Sequence, residues 1–128
     1  MWSSTMSRQF TPWLLGLMTI VGMSTSALAH PKLMSSLPAE NATVAAGPSE
    51  LRLTFNEKLE SSMSSVDVKD QAGKKIETGK AATDPADAKL LVIPLAAPLG
   101  EGTYKVDWHA VAADTHRIKG SYAFTVKR

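Results

Sequence analysis

Val106-Asp-Trp-His-Ala-Val-Ala-Ala-Asp-Thr-His-Arg-Ile-Lys-Gly-Ser-Tyr-Ala-Phe-Thr-Val126 decides how this chain folds. Tyr104, Val106, Trp108 and Ala110 share one parity before the polar segment Asp114-Thr-His116, and Ile118, Tyr122, Phe124 and Val126 share one after it. Apolar residues in one phase of a two-residue period mark a strand with one buried face. The stretch therefore predicts two strands joined by a tight polar loop, a hairpin whose aromatic rows gather the core around it. Whatever the loop carries is then held on a rigid base.

Upstream, similar short runs recur. Leu51-Arg-Leu-Thr-Phe-Asn56 places Leu51, Leu53 and Phe55 inward, and Glu57 follows at the strand's end. Ser65-Val-Asp-Val-Lys69 and Lys75-Ile-Glu-Thr78 flank Asp70-Gln-Ala-Gly73, a hairpin turn in which Gly supplies the unusual backbone angle. Residues 79–88 read as an exposed loop. Lys89-Leu-Leu-Val-Ile93 is apolar without alternation, which suggests a strand buried on both faces. His30 to Leu37 supplies a first strand, closed by Pro38. About seven short strands with no segment of helical period predict an all-β domain, an antiparallel sandwich or small Greek-key barrel. Asp84 and Asp87 lack the alternating acids of a calcium loop and read as solvated.

Residues 1–29 have another character. Arg8 is their only charge, an apolar run extends from Trp13 to Met23, and the segment closes on Ala27-Leu-Ala29. Basic start, short apolar middle and small-x-small end describe a secretory signal peptide, with cleavage after Ala29. The expected domain is then 30–128, a chain with 13 basic and 12 acidic residues. Near balance with no basic block gives no reason to expect a nucleic-acid partner. No second stretch approaches the roughly 20 apolar residues of a membrane span, so the processed chain is expected to be soluble, and a monomer. Cysteine is absent, so neither disulfides nor thiolate ligands are available.

Removal of the leader would give His30 a free α-amine beside its imidazole, and the two can chelate one cation. Pro31 has no backbone N–H to deprotonate, so the remaining ligands must come from elsewhere in the fold. Asp114 and His116, two apart in the hairpin loop, offer a carboxylate oxygen and an imidazole nitrogen. Three nitrogens and one oxygen suit tetragonal Cu(II), which the Irving–Williams order favours over zinc. Glu57 reads either as a weak extra ligand or as an acceptor for the N–H of a ligating ring, with an exposed strand-end carboxylate as the alternative. His109 has the parity opposite to Trp108 and faces away from the core.

These residues also resemble a family. His30-Pro-Lys-Leu33, Pro38-Ala-Glu40, Leu53-Thr-Phe-Asn-Glu57, Gly102-Thr-Tyr-Lys-Val-Asp-Trp108, Asp114-Thr-His116 and Gly120-Ser-Tyr-Ala-Phe124 are similar, in order, to the CopC family of periplasmic copper-resistance proteins. The resemblance implies a cupredoxin-like or immunoglobulin-like Greek-key β-barrel. It also implies Cu(II) ligands at His30, Asp114 and His116, with Glu57 at a nearby acidic position. It further implies a periplasmic location and a copper-carrying role beside an inner-membrane partner of the CopD type.

Some members hold Cu(I) in a methionine-rich loop. Four of the six methionines here lie before residue 30, leaving Met34 and Met63, so one Cu(II) site and no strong Cu(I) site is expected. The function this favours is binding, with no enzymatic activity. The alternative is a copper-dependent oxidase or monooxygenase built on an N-terminal His. Such catalysis needs an open coordination position; here Asp114 would fill the plane, and five aromatics after residue 29 offer little surface for sugar rings.

Overall fold

In the computed structural model, residues 32–128 are described. Nine strands form two sheets. β1 (Leu33–Leu37), β3 (Glu50–Phe55), β7 (Asp87–Pro94) and β6 (Ala82–Asp84) make the first, in the order β1-β3-β7-β6. The second runs β2-β9-β8-β4-β5, from β2 (Thr43–Val44), β9 (Arg117–Val126), β8 (Gly102–Val111), β4 (Ser65–Asp70) and β5 (Lys75–Ile76). Every pairing is antiparallel except β2 with β9. The result is a Greek-key β-sandwich. The strands number nine rather than about seven because two short edge strands, β2 and β6, join the sheet margins.

The alternation read from sequence sets the core. Leu51, Leu53 and Phe55 of β3 meet Tyr104, Val106, Trp108 and Ala110 of β8 and Tyr122, Phe124 and Val126 of β9, all buried in one cluster. Phe55 stands edge-on to Trp108, ring centroids 5.2 Å apart, and Tyr104 stacks on Phe124 at 5.7 Å. Gly120 lies opposite Trp108 in the β8–β9 ladder, with no side chain to meet the indole. At the far end, Asp70 Oδ1 accepts the backbone N–H groups of Ala72 and Lys74, while Gly73 takes φ +81°. That hairpin matches its sequence expectation.

Two other expectations need correction. Residues 79–88 are not simply a loop: β6 occupies Ala82–Asp84 and pairs with β7, its turn held by the bond from the Ala86 N–H to Asp84 Oδ1. Nor is β7 buried on both faces. Leu91 and Ile93 are inaccessible, whereas Leu90 and Val92 are half-buried on the outer side of the sheet. An apolar outer row on a small sandwich imitates the pattern of a central strand.

Candidate metal site

The site lies at the end of the sandwich where the β8–β9 hairpin turns. Three backbone ties fix that turn to the chain leaving β3. The Ala113 N–H donates to the Lys58 carbonyl at 2.8 Å, the Glu60 N–H to the Val111 carbonyl at 2.8 Å, and Leu59 bridges Ala112. Within the turn, Thr115 donates its N–H to Ala112 at 2.8 Å and takes φ +74°, unusual for a β-branched residue. This left-handed step reverses the chain between Asp114 and His116. Their side chains consequently meet.

Asp114 Oδ2 lies 2.7 Å from His116 Nδ1, and Asp114 Oδ1 accepts the His116 backbone N–H at 3.2 Å. An ionised carboxylate can only accept, so Nδ1 carries the proton and the lone pair of the neutral ring sits on Nε2. The hydrogen bond from His116 holds the Asp114 carboxyl below the usual carboxylate range. A depressed carboxylate favours the folded loop above the unfolded value of 3.8, and the preference disappears as pH falls through the folded value. The loop thus keeps its anion through mild acid. An oriented imidazole with a carboxylate behind it is the arrangement that metal-binding histidines use.

Glu57 is half-buried in the turn after β3, one residue before Lys58, whose carbonyl anchors the β8–β9 loop. Its side chain does not complete a cluster: among the described residues, no three His, Asp or Glu side chains are placed to hold a metal together. His109 is exposed on the outer face, paired with Ser65 and Lys119, as its parity suggested. His30, the expected leader and its expected cleavage point lie outside the described residues.

Sequence reasoning missed the clamp that brings the start of the described chain to this end. The Lys32 N–H donates to Asn56 Oδ1 at 2.7 Å, and the Asn56 N–H donates to the Lys32 carbonyl at 3.1 Å. Lys32 is thereby held at Asn56, two residues before Lys58 and its bond to the hairpin loop. Asn56 ends an alternating run in which no local signal marks it as a partner of a residue 24 positions earlier.

Comparison with known proteins then decides the relationship. The CopC domain matches residues 33–127. The chain belongs to the CopC family. Copper resistance protein C of Pseudomonas syringae pv. tomato is 46% identical over 113 residues, covering 83% of this chain and 89% of that protein. Protein YobA of Escherichia coli is 39% identical over 113 residues, 88% of this chain and 91% of its own. Among solved structures, PcoC, described as a methionine-rich copper resistance protein from Escherichia coli, superposes with a TM-score of 0.69 at 40% identity, over 77% of this chain and all of PcoC. The Pseudomonas syringae protein and PcoC are named for copper resistance, and none of these names describes an enzyme. Among the described residues, no helix is long and apolar enough to cross a membrane.

Proposed function

We propose that this CopC-family chain is exported to the periplasm, loses residues 1–29, and carries one Cu(II) ion on His30, Asp114 and His116. The observation that supports this most is convergence. The clamp on Lys32, the turn holding Glu57 and the Asp114–His116 pair all lie at one end of the sandwich. Two residues of extended chain reach at most about 7 Å, so His30 is tethered close to Lys32 wherever its ring turns. A two-donor pair alone holds Cu(II) weakly; an α-amine and a second imidazole complete a nitrogen-rich plane that copper prefers.

Asp114 would contribute an oxygen by turning its carboxylate from His116 Nδ1 to the ion, and Glu57 would act on the rim, as a distant ligand or as an acceptor for a ligand N–H. Delivery to a CopD-type membrane protein is the use this site suits, since a carrier must both take and release its ion. With Met34 and Met63 the only methionines after residue 29, the chain lacks the sulfur for a second, Cu(I) site.

Copper titration of the exported protein, followed by electron paramagnetic resonance, tests the proposal. One equivalent of tetragonal Cu(II) with nitrogen hyperfine coupling is expected. A second equivalent that disappears in a Met34→Leu, Met63→Leu variant would contradict the single site.

A further inference from the structure

Beside the metal loop, on the outer face of the five-stranded sheet, three basic residues gather. Lys119 pairs with His109 across β8 and β9, and Arg117 lies two residues back on the same face of β9. With Met63, Val111 and Ile118 they line an open-sided groove of about 250 Å³. Its floor is apolar, its rim cationic, and no carboxylate lines it. Met63 is 47% exposed although its side chain is apolar.

Elsewhere on this sheet face the lysines have carboxylate partners. Lys69 and Lys105 reach Asp107 at 3.9 and 3.6 Å, and Lys75 reaches Asp67 at 3.0 Å. Arg117 and Lys119, by contrast, make no ion pair with any described residue. Uncompensated cations around an exposed thioether make the mixed surface on which a complementary partner places carboxylates at the rim and an apolar side chain at the centre.

We infer that this groove docks an acidic segment of the protein that receives the copper, with one apolar side chain flanked by Asp or Glu. The inference rests on the copper-carrier reading, because Arg117 directly follows His116 and the groove therefore borders the proposed metal loop. Complementary charge speeds encounter and sets register, so association is fast at low salt and slows as salt screens it.

The test uses the copper-free exported protein, labelled with nitrogen-15. The probe is an acetylated, amidated peptide of one leucine between two pairs of glutamates. Saturable amide shifts are expected at Val111, Arg117, Ile118 and Lys119, with affinity falling at least ten-fold in an Arg117→Glu, Lys119→Glu variant and unchanged in Lys127→Glu. On the unmodified protein, replacing the glutamates by glutamine should abolish binding and replacing the leucine by serine should weaken it. Binding that is not weakened by either peptide change, equal shifts with inorganic phosphate, or no saturable shift at all would overturn the proposal. Copper plays no part in this readout, so a failed copper titration and a failed docking experiment are told apart.

Discussion

The Asp114 carboxylate grips His116 twice, ring Nδ1 at 2.7 Å and backbone N–H at 3.2 Å, so one side chain sets both the turn and the direction of the imidazole. Removing it takes away a donor and leaves the ring to wander. Loss of a carboxylate that orients a ligating histidine typically costs about 10–100-fold in metal affinity, and loss of a direct ligand costs more. Asp114→Ala should therefore weaken Cu(II) binding at least ten-fold in a competition titration, with melting temperature little changed. Unchanged affinity would assign the carboxylate to the turn alone.

The two histidines of the hairpin should separate cleanly. His116→Ala would delete a nitrogen from the proposed copper plane and should greatly reduce affinity, whereas His109→Ala, on the outer sheet face, should leave it nearly as it was. Isothermal titration of both variants decides the matter. Equal losses would contradict the assignment of His116 as the ligand.

Tyr122 makes a prediction for alkaline solution. Its hydroxyl is buried and forms no hydrogen bond of good geometry, the Ser36 hydroxyl being its polar neighbour. Burial raises its pKa to about 12, above the ordinary value of 10.0. The unfolded chain then gives up the proton first, so the folded state loses ground as pH climbs from 10 towards 12. A shift of two pKa units corresponds to about 2.7 kcal/mol. Denaturant unfolding should show stability falling over that interval, and Tyr122→Phe should flatten the fall. An identical fall in the variant would point to another group.

Gly120 is where the core allows no side chain. A Cβ there would sit on Trp108 Cζ2 and 2.8 Å from Cε2, and the indole is held from the other side by Phe55. Overpacking of this kind costs about 1–3 kcal/mol. Gly120→Ala should lower the melting temperature by roughly 4–8 °C per kcal/mol in a domain of this size. A neutral result would mean that the ring can slide aside.

How much of this could be read from the sequence differs along the chain. The β8–β9 hairpin declared itself, because burial alternates there without interruption from Tyr104 to Ala110 and returns from Tyr122 to Val126. Leu51, Leu53 and Phe55 did so for the same reason. β6 escaped because Ala82-Thr-Asp84 is too short for a period to show, and β7 misled because Leu90 and Val92 keep an apolar row half out of water. At the hairpin turn, the meeting of Asp114 with His116 was legible from their spacing. The Lys32–Asn56 clamp and the Lys58 anchor were not, since hydrogen bonds that the backbone makes to distant segments leave no mark on hydrophobic pattern.

Copper affinity compared between the protein beginning at His30 and the same protein with one extra residue before it probes the carrier reading most closely. The added residue turns the α-amine into an amide and leaves every side chain in place. A loss of Cu(II) affinity of at least a hundred-fold, with the fold intact by circular dichroism, is the expected result. Equal affinity in the two proteins would contradict a site built on the exposed N-terminal histidine.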